Sequence, residues 1–510
     1  MLDLLNNVNR TKPIGLQVKQ EWIETDMPKM RIFAAAAAVA LLLSACATQP
    51  AYSPPKQPVP ADWENNPHPG KRSAVAANGQ WWTQLGDPAI DSLVSSAFAD
   101  NPTLAQAAAR VDQAKAAAGV ASAQRLPAVN GNASATRAQT QNTLGGSSTT
   151  MLESSSSVGA DFSWEIDLWG RIRESVSAAQ RRLDARTADA QGARLSLAAQ
   201  VANTSLALRA CAYSLQVRDA DIASRETELT LTRKRRAVGY IAPSAEFSAL
   251  TNLANARTAR ISQQEQCTRN VDALVALTGQ SAAAVRRLLL PTASNADPQE
   301  SSAILDDVAH VMPTPPAMQP ELPATVLRDH PSLVSAERLL AAAWSDIGVA
   351  RAQRLPTISL SAMLSGNWLR AVGNSVNFTS WSAGPGLTVP LFDGGAGAAN
   401  VDAATGRYRE AAATLQSTLR TVVQNVEDAL AFQTSAEERV KSSQDAVDAA
   451  QLSFRASQAQ WRAGAISMFE LEDIRRQRQT AEENFIAAKR DQGQAWISLM
   501  QATGQIDNPG

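Results

Sequence analysis

Apolar and polar residues alternate with a period of two in four segments of the chain. In the clearest segment the even positions from 158 to 166 are Val, Ala, Phe, Trp and Ile, and the odd positions between them are Gly, Asp, Ser and Glu. Because successive side chains of a β-strand point to opposite faces, this alternation predicts strands with one apolar and one polar face. The segments form two pairs, at about 128–167 and 357–390, each divided by a polar, Gly-containing stretch, TLGGSSTT (143–150) or AVGNSVN (371–377). Each pair therefore predicts a hairpin, and Pro385 predicts an edge strand or a bulge.

Two other segments predict very long helices. Residues 171–238 and 398–463 contain no proline and one glycine each, and they are dense in strong helix formers. Each would form a helix of about 65 residues, roughly 100 Å long. A glycine-containing turn sequence follows each one, RRAVGYIAPSAEF (235–247) and QWRAGAISMFELED (460–473). We predict antiparallel helix pairs at about 168–278 and 396–504, with turns at Gly239 and Gly464, a helix start at Pro243 and a helix cap at Ser467.

The chain contains an internal repeat. The sequence GVASAQRLP (119–127) returns as GVARAQRLP (348–356), 229 positions later. Gly170, Gly239 and the triplet TGQ at 278–280 recur as Gly395, Gly464 and TGQ at 503–505, all 225 positions later. Two constant spacings predict a duplication with one change of length. The first copy covers about 81–280 and the second about 322–510, with a Pro-rich connector at 281–321.

The N-terminal region predicts an exported lipoprotein. Lys29 and Arg31 precede an apolar run at 32–43, and Leu-Ser-Ala-Cys follows at 43–46. A helix of this length rises about 18 Å, too little for a bilayer core of about 30 Å, so residues 1–45 are interpreted as an upstream extension and a signal peptide. The last four residues resemble the lipobox of bacterial lipoproteins, which implies a lipid on Cys46, and Ala47 implies sorting to the outer membrane. The Pro-rich segment 46–80 predicts an extended tether.

Charge and composition give no indication of a nucleic-acid-binding protein or of an enzyme. The 510 residues carry a formal net charge of -1, so nothing indicates a nucleic-acid partner. His68, His310 and His330 are scattered along the chain, and the sequence contains no metal-ligand spacing, nucleophile elbow or phosphate-binding loop. We therefore expect no enzyme activity, no metal and no cofactor, and we interpret His330 as structural.

Four strands cannot close a sheet within one chain, and open sheet edges are not tolerated in lipid, so several chains would have to share the sheet. Four stretches carry a family resemblance: WWTQLGDPAIDSLVSSAFADNPTLAQAAARV (81–111), FSWEIDLWGRIR (162–173), LPATVLRDHPSL (322–333) and VPLFDGG (389–395). They resemble the TolC/OprM-type outer-membrane efflux channels, especially the lipoprotein branch labelled NodT. The resemblance implies an α+β membrane protein and a homotrimer. In this trimer, long helical hairpins form an α-barrel, and this α-barrel is continuous with a 12-stranded transmembrane β-barrel to which each chain contributes four strands.

The same resemblance implies a function and partners. Such channels are passive outer-membrane ducts, gated at periplasmic helix turns, that export small molecules such as drugs. They dock with a periplasmic adaptor (membrane fusion protein) and an inner-membrane pump, here expected to be of the RND type. The docking sites are expected at the two turns, around Arg235, Gly239, Arg462 and Gly464. Two alternatives stay open: the outer-membrane channel of type I protein secretion, and a lipid-anchored coiled-coil scaffold without a pore.

The resemblance also places acidic gate residues at Glu470 and Asp473. Because they are three residues apart, they share one face of a helix. A trimer would bring six such carboxylates around a narrow axis, where they would attract cations and disfavour anions. The alternative is that these residues and Glu472 form a solvated acidic surface. The first turn has Glu246 where relatives often carry Asp.

Two cysteines lie at the same sequence distance from the first turn. Cys211 and Cys267 are each 28 residues from Gly239. Equal arms of an antiparallel helix pair place them at the same height, roughly 40 Å from the turn. Because the periplasm is oxidising, we predict a disulfide between them, with two buried thiols as the alternative. Their repeat counterparts, Ala436 and Gln492, cannot form such a bond.

Overall fold

The computed structural model describes residues 50–56, 58–66, 80–144, 147–290, 305, 308, 311–316, 323–371 and 374–504. The predicted signal peptide, Cys46, His68, His310 and most of the predicted connector lie outside these residues. The chain divides into two compact units. A sheet unit contains Pro127–Arg171 and Arg351–Leu391, and a helical unit draws on Tyr52–Leu126, Ile172–Ala350 and Phe392–Gly510.

The sheet unit is built from the two predicted hairpins. Its strands are β1 (Ala128–Leu144), β2 (Ser147–Ile166), β3 (Thr357–Ala371) and β4 (Asn374–Thr388), all antiparallel and in the order β1-β2-β3-β4. The two hairpins, one from each repeat, are therefore joined by the pairing of β2 with β3. Pro385 lies in β4, an edge strand of this sheet, where a missing backbone N–H is tolerated best.

The register brings the apolar sets of all four strands onto one side of the sheet, here called the apolar face. Val129, Phe162, Ala362 and Ala383 stand in one row across the strands. Large side chains of this face are exposed: 69% for Val129, 66% for Leu387 and 75% for Trp381. The opposite, polar face carries hydroxyl pairs, Ser134–Ser157 and Ser365–Ser380, with Oγ–Oγ distances of 2.9 and 2.8 Å.

The helical unit contains two very long helices, each followed by a shorter one. A short 3-10 helix (Trp81–Leu85) is followed by α1 (Pro88–Asp100), α2 (Pro102–Ala123), α3 (Arg171–Ala237), α4 (Pro243–Thr278), α5 (Ala282–Leu289), α6 (Pro323–Asp329), α7 (Pro331–Ala352), α8 (Ala396–Arg462) and α9 (Met468–Ala502). Helices α3 and α8 have 67 residues each. Within the described ranges, none of the helices is both long and apolar enough to cross a membrane.

Glycines at equivalent positions show that the backbone is duplicated. Gly170 and Gly395, Gly239 and Gly464, and Gly279 and Gly504 all have positive φ, with values of 80° and 94°, 78° and 77°, and 69° and 73°. A side chain at such a φ would be strained, so glycine is favoured at each of these helix boundaries. The constant spacing of 225 residues in the sequence therefore corresponds to a repeated set of turns.

Part of the Pro-rich segment after Cys46 packs against the helical unit. Trp63 is 4% exposed and belongs to the main core, which includes Trp81 and Trp496 with ring centres 5.8 Å apart. The backbone N–H groups of Glu64 and Asn65 donate to the two carboxylate oxygens of Glu427 on α8, both at 2.8 Å. Burial of the indole and the charge-assisted hydrogen bonds fix this part of the segment to the helical unit.

Candidate functional site at the helix turns

The two turns that join the long helices to their partners have the same backbone structure. In the first turn (residues 238–242), Gly239 N–H donates to Arg236 O and Tyr240 N–H to Arg235 O, both at 2.9 Å. In the second turn (residues 463–467), Gly464 and Ala465 donate to Trp461 and Gln460 at 3.0 and 2.9 Å. This pair of bonds ends a helix at a left-handed glycine and satisfies its last carbonyl groups.

The helices that leave the turns begin where the sequence predicts. Pro243 is the first residue of α4 and needs no hydrogen-bond acceptor for a backbone N–H. Ser467 caps α9, because its hydroxyl group accepts a hydrogen bond from the Glu470 N–H at 3.1 Å. Exposed aromatic side chains surround the turns, with Tyr240 and Phe469 both 82% exposed.

One side chain joins the two turns. The Arg235 Nη2 donates to the carbonyl oxygens of Trp461 and Arg462 at 3.3 and 3.4 Å. Its guanidinium carbon lies 4.6 Å from the centre of the Trp461 ring. A cation at the last carbonyl groups of α8 is stabilised by the helix dipole and by the indole face. The structure thus brings together Arg235 and Arg462, both predicted at the turns, through the backbone of Arg462.

The acidic residue of the first turn pairs within its own helix pair. Glu246 on α4 accepts hydrogen bonds from Arg236 at 2.5 Å and from Arg233 at 3.2 Å. The hydrogen bond from Arg236 is the main reason why the pKa of Glu246 is below its usual value. Glu246 therefore stabilises the first turn and makes no bond to the second one in the described structure.

The predicted gate residues Glu470 and Asp473 lie in the first turn of helix α9 or just after it, and they differ in their surroundings. Glu470 is exposed and makes no ion pair with any residue that the structure describes. Asp473 accepts a hydrogen bond from Arg476 at 2.7 Å and another from Gln477 at 2.9 Å. The negative charge of Asp473 is thus partly compensated in the same helix, whereas that of Glu470 is not.

Glu472 belongs to a buried ion cluster and not to this surface. The cluster contains Asp221, Arg225 and Glu228 on α3 together with Glu472 and Arg475 on α9, all less than 9% exposed. Arg225 pairs with Asp221 at 2.7 Å and also with Glu472. Arg475 pairs with Glu228 and Glu472, and its guanidinium carbon is 5.5 Å from the centre of the Phe454 ring on α8.

Burial sets the protonation of this cluster. Loss of water raises the pKa of Glu472, and the nearby Arg225 charge opposes that effect. Loss of water lowers the pKa of Arg475 to about 9, so the guanidinium group stays charged at neutral pH. A buried charge without its partner is strongly destabilising, so the cluster holds α3 to α9 in one arrangement. Its acids and bases are three or four residues apart on α3 and three apart on α9, and exposed ion pairs on helices have the same spacing in sequence.

The structure joins Cys211 on α3 to Cys267 on α4. Their sulfur atoms are 2.07 Å apart and their Cα atoms 5.6 Å apart. Ion pairs between the same helices lie nearer the turn, including Arg257 to Glu226 at 2.6 Å. In the second pair, Ala436 and Gln492 stand at the corresponding positions, so α8 and α9 have no such bond there.

His330 is a buried helix cap at the start of the second repeat. Its Nδ1 accepts a hydrogen bond from the Ser332 N–H at 3.3 Å, and a Cβ on Gly504 would meet the ring at 3.0 Å. Burial lowers the pKa of His330 to about 4. In the first repeat Asn101 has this role, accepting from the Thr103 N–H at 2.8 Å. The described residues contain no group of three or more metal-binding side chains.

A groove is present beside the second turn. It lies between α4 and α9 and has a cavity volume of about 570 Å³. Its lining is mixed, with polar Asn252 and Asn255 from α4 and Met468 and Phe469 from α9. Sequence reasoning missed this groove, since neither helix alone marks which of its faces meets the other.

Comparisons with known proteins agree with this architecture. A family model described as "Outer membrane efflux protein" matches the chain twice, over residues 93–280 and 322–505. Outer membrane protein OprJ of Pseudomonas aeruginosa is 27% identical over 468 residues, which cover 91% of this chain and 94% of that protein. Nodulation protein T of Rhizobium leguminosarum bv. trifolii is 27% identical over 480 residues, covering 92% and 96%. The solved structure of the outer-membrane channel OprN has a TM-score of 0.77 at 24% identity, over 90% of this chain and 99% of that chain.

Proposed function

Since the chain belongs to the outer membrane efflux protein family, we propose that it is the outer-membrane exit channel of a tripartite efflux system. It acts as a passive duct for small molecules, not as an enzyme. The observation that carries the proposal is the sheet, which has an exposed apolar face, a hydroxyl-rich polar face and two unpaired edges, β1 and β4. Such a sheet suits a closed wall between lipid and water.

The edges of the sheet argue for a trimer. Backbone groups on an unpaired edge cost several kcal/mol each in a bilayer core, so β4 of one copy pairs with β1 of the next. Three copies give twelve strands, enough to leave a lumen lined by the polar face. A lipid-anchored scaffold without a pore would not need strands with this alternation. Lipid on Cys46 would add an anchor to each copy.

The helix turns form the periplasmic gate in this proposal. Glu470 and Asp473 of three copies line the narrow end, and the Arg235–Trp461 link ties the two turns of each copy. The partners are a periplasmic adaptor and an inner-membrane pump of the RND type. The exposed aromatic side chains at the turns and the groove between α4 and α9 suit docking of the adaptor, because aromatic residues are enriched at interfaces.

Reconstitution tests the proposal. Purified protein in planar lipid bilayers should give discrete conductance steps, and it should migrate as a heat-sensitive trimer on gels. Labelled palmitate should be incorporated into the wild-type chain and not into Cys46→Ala. Membrane-embedded protein that stays monomeric and never conducts would rule out the channel.

A further inference from the structure

The charges of the sheet are separated by face. Three acidic residues, Glu153, Asp161 and Glu165, lie in the strands, and all three are on the polar face. The strands contain two basic residues, Arg137 in β1 and Arg370 in β3, and both are on the apolar face. Neither arginine therefore has a carboxylate on its own side of the sheet.

The register makes the two arginines neighbours. Arg137 pairs with Ser154 of β2, and Ser154 pairs with Arg370 of β3, so the three residues form one row. With an inter-strand spacing of about 4.8 Å, the two Cα atoms are roughly 10 Å apart, and both guanidinium groups can reach one small anion. Both arginines are exposed, and neither makes an ion pair with a described residue. The Ser154 hydroxyl group between them can donate a further hydrogen bond.

The row lies at the boundary of the apolar band. On β3 the apolar face runs from Ile358 to Trp368, and Arg370 is the next residue on that face. The distance from Ile358 to Trp368 is about 34 Å along the strand. At a strand tilt of roughly 40° this corresponds to about 26 Å across a bilayer, which matches the height of the apolar band on transmembrane β-sheets. Trp368 stands where such sheets carry interfacial aromatic residues. The arginines are thus at headgroup level.

The row is at the end of the sheet that carries the hairpin turns. Both strand-to-strand turns are at this end, and the chain leaves for the helices at the other end. In the proposed channel the helices are periplasmic, so the row faces the outer leaflet. The glycolipid of that leaflet carries phosphate groups. Arginine is suited to bind phosphate because its planar guanidinium group makes bidentate hydrogen bonds to phosphate oxygens.

We propose that Arg137, Ser154 and Arg370 form a binding site for a phosphate group of the outer-leaflet glycolipid. The inference rests on the proposed placement of the sheet in the outer membrane and adds a lipid specificity to it. A trimer carries three such sites, spaced around its outer wall.

Native mass spectrometry of the purified trimer tests the site. The probes are diphosphorylated lipid A and the same lipid without phosphate groups. Wild-type protein should retain the phosphorylated form at least about tenfold more strongly, the effect of one lost charge-assisted hydrogen bond to phosphate. Arg137→Gln with Arg370→Gln should lose this preference. Arg354→Gln, an exposed arginine at the other end of the sheet unit, is the matched control and should keep it.

Three outcomes would overturn the site: equal retention of both lipids by wild-type protein, an equal loss in Arg354→Gln, or displacement of the lipid by millimolar inorganic phosphate. Conductance of the same preparations separates this result from the channel proposal. A wild-type protein that conducts but shows no lipid preference refutes only the lipid site. No conductance from any preparation refutes the channel.

Discussion

The guanidinium group of Arg235 lies against the Trp461 ring, with 4.6 Å between its carbon and the ring centre, and it donates to the Trp461 carbonyl oxygen at 3.3 Å. This contact joins the ends of α3 and α8 at their turns. Arg235→Ala removes the cation from the end of α8, so we expect easier opening, seen as larger or longer conductance events in planar bilayers. Arg236→Ala is the control, since Arg236 pairs with Glu246 inside the first helix pair. Equal effects of the two substitutions would contradict the link.

The two carboxylates of the proposed gate should contribute unequally to block by cations. Glu470 is unpaired among the described residues, whereas Asp473 is paired with Arg476. We expect Glu470→Ala to reduce block by divalent cations more than Asp473→Ala, and the double variant to raise conductance. Arg476→Ala should strengthen cation block, because it exposes the Asp473 charge. Single-channel recordings with graded cation concentrations measure all four variants, and unchanged block throughout would remove these residues from the gate.

The buried ion cluster should be a stability determinant. Arg475→Met leaves Glu228 buried without its ion-pair partner and leaves Glu472 with Arg225 alone, so we expect a loss of about 3 kcal/mol per chain. The neighbouring Arg476→Met changes an exposed pair and should cost less than about 1 kcal/mol. The temperature at which the trimer dissociates reports the difference. If both substitutions shift it equally, the cluster does not hold α3 to α9.

The first helix pair should contain no free thiols until its disulfide is reduced. Titration of the unfolded Cys46→Ala protein, which keeps only Cys211 and Cys267, should give no thiol per chain before reduction and two afterwards. The bond closes a loop with a sequence separation of 56, so its loss should cost about 4 kcal/mol on the chain-entropy account. Two thiols before reduction would exclude the disulfide. As a matched experiment, Ala436→Cys with Gln492→Cys introduces the counterpart bond into the second pair and should hinder opening under oxidising conditions.

The stability of the helical unit should fall in acid because of His330. Its pKa in the folded state is about 4, below the ordinary 6.5, so the folded state disfavours the protonated ring. The contribution is complete above about pH 6.5 and is lost as the pH falls towards 4, about 3 kcal/mol in all. His330→Asn, which introduces the residue of the first repeat, should flatten this dependence. Thermal dissociation of the trimer between pH 7.5 and 4.5 measures it, and an unchanged slope in the variant would assign the effect elsewhere.

The parts that could be predicted from the sequence are those in which one local pattern has one structural meaning. The alternation of apolar and polar residues from 158 to 166 predicts a strand with one apolar and one polar face. In the structure Phe162 and Ala362 are paired on the apolar face. A glycine after a long helix ends it, as Gly239 and Gly464 do. The link between the two turns and the buried ion cluster depend on contacts between helices that are distant in sequence. Glu472 resembles its acidic neighbours in sequence, but in the structure it is buried and pairs with Arg225 on the distant helix α3. Trp63 likewise has no local signal, because its surroundings come from the main core.

The burial of Trp63 and the hydrogen bonds from the Glu64 and Asn65 N–H groups to Glu427 limit how far the helical unit can move. When Cys46 carries its lipid, seventeen residues separate the membrane surface from a point fixed on α8. A chain of that length spans at most about 60 Å when fully extended. The length of the segment therefore limits the distance between the lipid on Cys46 and this point of α8. Opening motions within that distance do not stretch the segment. A larger motion would first have to pull the Trp63 indole out of the core.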